Sequence, residues 1–232
     1  MSYPVNEAKA MSKGELTRQR IIAEAAPIFN RRGYEGCSMQ EILDATGLEK
    51  GGIYRHFASK EELAAEAFRY AISNTVKIRT EHIDEIQGAT AKLRYGIRRF
   101  VEGPSFLPGG CPLMNTAVDS DDGNPVLRRL AREAIQDWKT RISQIVEEGI
   151  RCGEIRKSVE PRRIANTIVA TLEGALMISR IEGSRQALQD AHESLNILIK
   201  DIEPPAKRAL QVSHVRPGIK KKPKTRTKPK KH

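Results

Sequence analysis

The stretch from Ser38 to Leu63, SMQEILDATGLEKGGIYRHFASKEEL, constrains the fold more tightly than any other part of the chain. It reads as two short helices, a tight turn and the start of a third. Ser38 with Glu41, and Ser59 with Glu62, have the spacing of a capping box, in which a hydroxyl and an acid three residues on satisfy opposite sides of one helix start. Met39, Ile42 and Leu43 give the first helix an apolar face at helical spacing. Ala45-Thr46-Gly47 closes that helix, because glycine takes the left-handed conformation of a sharp exit. Leu48 is then placed to be buried in the turn.

The second helix is expected over Glu49 to Phe57. Ile53 and Phe57 fall on one side of it, and Tyr54, Gly51, Arg55, Gly52 and His56 spread across the other in that angular order. The outward face therefore has a basic fork at its centre and bare backbone beside it, with a phenol and an imidazole at its edges. Two adjacent glycines cost a helix about 1 kcal/mol each relative to alanine. Such a helix is either held by its neighbours or needs its backbone close to something, and insertion in a DNA major groove supplies that need.

The segment from Thr17 to about Phe68 resembles the DNA-binding domain of the TetR family of bacterial regulators. The resemblance lies in the opening TRQRIIAEAAPIF, the link RRGYEGCSM and the segment GLEKGGIYRHFASKEEL. It implies an all-α protein, with an N-terminal three-helix helix-turn-helix DNA-binding domain followed by a helical ligand-binding and dimerisation domain. Lys50 and Arg55 are the expected base contacts, since such side chains reach guanine O6 and N7. Gly51 and Gly52 would permit close backbone approach. Thr17, Ser38, Tyr54, His56 and Lys60 would hold phosphates and fix register. Thr17 lies near the first helix's amino end, where the dipole favours phosphate, and a simple helix cap is compatible with that role. His56 could instead be a packed histidine.

A length of 232 residues is ample for a buried core. The opening MSYPVNEAKAMSKGE lacks the apolar run of a signal peptide. The most apolar stretch, Ile168 to Ile178, is interrupted by Glu173 and reads as too short to span a bilayer. A cytoplasmic protein without a membrane partner is expected. Cys37, Cys111 and Cys152 are odd in number and have no C-x-x-C spacing, so they read as reduced thiols, with no metal site and no cofactor. The formal net charge of +11 is carried by eleven Lys and Arg residues after Pro205, where no acid occurs; the rest of the chain balances. Nucleic-acid binding must therefore be argued from the head's own side chains, not from the overall charge.

In order, residues 1–14 read as a flexible arm, 15–60 as the DNA-binding domain, 61–202 as the effector-binding and dimerisation domain, and 203–232 as a disordered Lys/Pro-rich tail. The first helix, Leu16 to Arg32, should kink at Pro27 and end at Gly33. Further helices are expected at Lys60–Glu81, Ala89–Glu102, Gly110–Asp119, Pro125–Cys152, Pro161–Glu182 and Arg185–Ile202. The last two carry the widest apolar stripes: Ile164, Ile168, Leu172 and Ala175 on one, Leu188, Leu195 and Leu198 on the other. These are the candidate dimerisation residues, two such helices and their symmetry mates forming a four-helix bundle; the same stripes also suit a protomer core.

The middle helices are where the resemblance implies a small-molecule pocket, with the effector unspecified. Phe100, Phe106, Met114, Asn115, Trp138 and Arg141 have the character of a mostly apolar lining with a few polar anchors. Cys111 follows Gly109-Gly110 at a helix start, where a dipole lowers a thiol's pKa. GCPLMNTAV is similar to a TetR subgroup in which some members respond to electrophiles. A small buried hydrophobe is the competing reading of Cys111. The functional expectation is a dimeric, ligand-released repressor of a near-palindromic operator. The alternatives are a weakly specific DNA-coating protein driven by the basic tail, and an enzyme with Cys111 as nucleophile, for which His82 and His192 are the only remote partners.

Overall fold

The computed structural model describes residues 11–205 of the chain. The expected N-terminal arm falls largely outside these residues, as does all of the basic tail beyond Pro205. Helix α1 (Lys13–Gly36) starts earlier than the sequence suggests, because Ser12 and Glu15 close a capping box around its first turn. Its one non-helical residue is Gly33, at φ 75°, so the break falls at the glycine and not at Pro27. Helix α2 (Met39–Thr46) is capped by Ser38 and Glu41 in both directions and ends on Gly47 at φ 64°. Helix α3 (Lys50–Tyr54) is only five residues long, shorter than Glu49–Phe57. The backbone turns at Arg55 and His56 and delivers Phe57 to the core.

Helix α4 (Lys60–Thr80) is capped by the Ser59 hydroxyl, but the second half of the expected box is missing. Glu62 reaches the Ala58 amide, at 2.7 Å, instead of that of Ser59. A 3₁₀ turn at Ile83–Glu85 follows, entered through His82 in the left-handed region. Then come α5 (Ala89–Glu102), α6 (Pro112–Asp119), α7 (Pro125–Cys152), α8 (Pro161–Glu182) and α9 (Gln186–Ile202). Helices α6, α7 and α8 each begin on a proline, whose missing N–H costs nothing in a first turn. No strand occurs among the described residues.

Two cores result, with α4 serving both halves. Ile21, Ile22 and Ala25 of α1 meet Ile42, Ile53, Phe57 and Leu63 in the head. The body's core is drawn from α5, α7, α8 and α9. Between them, Ala64, Ala65 and Phe68 of α4 pack on Cys111 and Leu113 and on Leu127, Leu130 and Ala131 of α7.

The expected dimerisation stripe requires correction. Ile164, Ile168, Leu172, Ala175, Leu188 and Leu195 are all buried inside the protomer, and Leu198 packs partly against them. These side chains close the chain's own core and are not free for a partner. The exposed apolar groups of these two helices are Met177, Ile178, Ile181 and Ile197. The 22-residue α8 is, by length and composition, apolar enough to cross a membrane, contrary to the reading of Ile168–Ile178 as too short. Its inner face is committed to the core shared with α7 and α9, which explains that apolarity within a globular fold.

Candidate DNA-reading head and effector cavity

The local chemistry of α2 and α3 sets the head's outer surface. Ile53 and Phe57 are each 1% exposed and hold the short helix from behind. Lys50, Gly51, Tyr54 and Arg55 face outward, with Gly52 and His56 half-buried beside them. A Cβ at Gly51 would meet nothing within 4 Å, so no packing demand within the protomer requires a glycine there. At Gly52 the nearest neighbour is Leu48, the residue that fills the turn. The Lys50 ammonium lies 5.9 Å from the Tyr54 ring centroid, which keeps both on the same surface.

The other expected phosphate contacts are already engaged within the protein. The Thr17 hydroxyl donates to the Lys13 carbonyl at 2.9 Å, one turn inside a helix that Ser12 caps. Thr17 is therefore not the cap. The exposed Ser38 caps α2 and donates its hydroxyl to Glu41 at 3.1 Å. Lys60 sits over Tyr34, 4.4 Å from the ring centroid. Arg18, which the sequence places beside Thr17 at the phosphate-favouring end of α1, stacks on Phe57 at 4.8 Å and pairs with Glu66 of α4 at 3.3 Å.

In the body, a cavity of about 360 Å³ lies between α4, α6 and α7. Of the expected lining, Cys111, Trp138 and Arg141 reach it. Phe100 does not; it stacks on Trp138 at 5.7 Å and borders a smaller adjoining hollow of about 90 Å³. Phe106 packs edge-on against Tyr70 at 5.4 Å, and Met114 packs beside the contact of α4 with α7. Asn115 is a structural clamp, donating to Asn30 and Gly109, each at 2.9 Å. The residues missed were Ile72, Val76 and Arg79, on the second half of α4. Their i, i+4, i+7 spacing is the signal that could have found them.

The structure counts against the activated-thiol reading of Cys111. The residue is 3% exposed, and burial, reinforced by the nearby Glu173 carboxyl, pushes its thiol up to about 12. Desolvation outweighs the helix dipole at this position. The same burial counts against Cys111 as a catalytic nucleophile, and of its remote partners His82 is exposed and pairs with Glu85 at 2.8 Å.

Two stretches of the chain match known protein families. Residues 21–67 match the description "Bacterial regulatory proteins, tetR family", and residues 89–195 match "Tetracyclin repressor-like, C-terminal domain". The chain is 30% identical over 183 residues to the HTH-type transcriptional regulator LmrA of Bacillus subtilis, covering 73% of this chain and 88% of that one. It is 26% identical over 172 residues to the HTH-type transcriptional repressor DhaR of a Mycobacterium species, covering 74% and 86%. A solved TetR transcriptional regulator from Chloroflexus aurantiacus is 42% identical with a TM-score of 0.78, covering 83% of this chain and 98% of that one. A second, from Cytophaga hutchinsonii, is 36% identical with the same TM-score of 0.78, covering 84% and 98%. Fold and site thus define a helix-turn-helix, DNA-binding transcriptional regulator. The chain belongs to the TetR family.

Proposed function

We propose that this regulator is a cytoplasmic, homodimeric repressor that binds a near-palindromic operator and is released by a small molecule. The observation that carries the reading is the placement of α4. Its first half packs on the head, and its second half walls the 360 Å³ cavity. Each protomer would set α3 in a major groove, with Lys50 and Arg55 on base edges and Tyr54 and His56 at its margins. Thr17, Ser38 and Lys60 would hold phosphates once their present partners are exchanged. Two copies fix the half-sites about one helical turn, or a small multiple, apart.

For dimerisation the support is the exposed face of α8. Gly174, Ile178 and Ile181 recur there at i, i+4 and i+7, and a Cβ at Gly174 would meet nothing within 4 Å. Small and apolar groups along one unpartnered face suit packing on a symmetry mate. A ligand between α4, α6 and α7 would alter the separation of the two heads, to the extent that it binds the released conformation better.

Genome-wide mapping of bound DNA tests the reading. It should return a short inverted repeat, and Arg55→Ala should weaken binding to that repeat by about 1–3 kcal/mol and relax its sequence preference. Binding spread without a common motif would favour the DNA-coating alternative instead.

A further inference from the structure

The effector-release reading leaves open the chemical class of the ligand, and the inference here rests on that reading. The long walls of the cavity are apolar, formed by Ile72, Val76, Leu113 and Trp138. A few polar groups in such a setting fix a ligand's orientation. The charged side chains at this site are unequally satisfied. Arg69 is held by Glu66 at 2.7 Å. Arg79 on α4 and Arg141 on α7 form no ion pair among the described residues. The Arg79 guanidinium lies over the Phe100 ring, 4.1 Å from its centroid, a contact that orients the charge without neutralising it.

These two arginines, with Thr80 and Trp138, border both the main cavity and the adjoining hollow lined by Leu93, Ile97, Ile168 and Leu172. Two arginines therefore border both apolar chambers, with the guanidinium of Arg79 fixed over Phe100 between them. The opposing acids are few. Asp137 lies one turn before Arg141 in the same wall and does not pair with it. Glu173, buried beside Cys111, faces Arg79, which favours its ionised form, but desolvation outweighs that attraction and moves the carboxyl toward the neutral form.

We infer that the cavity takes an amphiphile with one acidic group, its anion received by Arg79 and Arg141 and its apolar body lying along Trp138, Ile72 and Val76. The guanidinium fork matches a carboxylate in shape as well as charge. An uncharged analogue would leave both arginines unpaired and should bind about tenfold or more weakly. A cationic analogue of the same chain length should bind weakest.

Trp138 is the only tryptophan in the chain and borders both chambers, so its fluorescence reports occupancy without reference to DNA. Full-length protein is titrated near pH 7 with decanoate, decanol and decyltrimethylammonium, each below its micelle concentration. The expected result is a saturable response to decanoate, at least about tenfold tighter than to decanol. Arg141→Gln, on an exposed side chain, and Arg79→Gln should each erase that preference while the melting temperature confirms a folded protein. Equal binding of decanol, preferential binding of the cation, or full preference retained in both variants overturns the acid-group inference and leaves the effector cavity standing. No saturable response to any of the three probes overturns the cavity as an effector site, and the inference with it.

Discussion

Asn115 donates its side-chain amide to the main-chain carbonyl of Asn30 at 2.9 Å, fastening α6 to α1. The same amide reaches the Asn30 side-chain oxygen at 3.1 Å and the Gly109 carbonyl at 2.9 Å. Asn30, itself buried, returns a bond to the Pro108 carbonyl at 2.9 Å. One turn further along α6, Asp119 accepts the Tyr34 amide at 2.7 Å, just past the break at Gly33. Cys111 and Leu113, which wall the cavity, lie on the turn preceding Asn115. A displacement of α6 by a ligand must therefore carry the end of α1 with it or break this joint. Under the proposed release mechanism, the route from cavity to head would run through α6 as well as α4.

Asn115→Ala strips the joint of its donor and leaves the Asn30 oxygens short of a partner, while the Gly109 carbonyl keeps Arg180. Leaving such groups unsatisfied costs about 1–3 kcal/mol. Urea denaturation should show a loss of that size with an unchanged slope. A change below a few tenths of a kcal/mol would mean that the joint is replaced by water and does not couple the helices.

Ile181→Arg tests the outward face of α8 separately from its inward face. Ile181 is 78% exposed in the protomer, so a charge there meets no core and should leave the folded chain's stability within about 0.5 kcal/mol. Sedimentation should show a shift from dimer to monomer, with loss of operator binding. Leu172→Ala, at 1% exposure, should cost about 2–5 kcal/mol through the cavity it leaves. An Ile181→Arg protein that remains dimeric would place the interface elsewhere.

Those two leucine and isoleucine positions also mark where sequence reading reaches its limit. Helix ends were legible because one or two residues decide them locally: Pro125 and Pro161 open α7 and α8, while Gly153 and Gly183, at φ 77° and 63°, close them. The head was legible for the same reason, as Ile53 and Phe57 leave few ways to seat the short α3. The facing of α8 was not. Ile164, Ile168 and Leu172 form one apolar stripe, and Gly174, Ile178 and Ile181 form another, so periodicity has no polar side to exclude. The Asn30–Asn115 joint spans 85 residues, and nothing local in either segment foretells it. Phe106 lines neither chamber and Phe100 reaches only the smaller one, because an aromatic ring in a helical pattern reports burial, not the neighbour it is buried against.

Glu173 should make stability depend on pH. Its carboxylate oxygens are buried without a hydrogen-bond partner, and although the Cys111 thiol and the Arg79 guanidinium favour the ionised form, desolvation outweighs them and pushes the group up. The unfolded chain therefore releases this proton first. The group's contribution is fully present below the ordinary carboxylate pKa and is lost as pH rises through the raised folded value. Glu173→Gln should match the parent near pH 4 and exceed it at pH 8 by on the order of 1 kcal/mol. Denaturation midpoints across that range decide the matter, and parallel curves for the two proteins would show that a donor reaches the carboxylate.

The three thiols should separate cleanly under alkylation. Cys152 is exposed at the end of α7 and donates to Glu148 at 3.1 Å, which slows it without hiding it. Cys37 and Cys111 are buried, and desolvation pushes them up to about 11 and about 12 from an ordinary value of 9.0. Because the thiolate is the nucleophile, Cys111 presents far less of it at pH 8 than an ordinary thiol, before any loss of access is counted. Iodoacetamide on the native protein should add one group, located at Cys152 by peptide mass, with Cys37 and Cys111 labelled only in denaturant. The linkage runs the same way, stability from both buried thiols being intact below the ordinary value and lost as pH rises toward the folded ones. Native labelling of Cys111 at a rate rivalling Cys152 would restore it as an electrophile sensor and require that α6 open on its own.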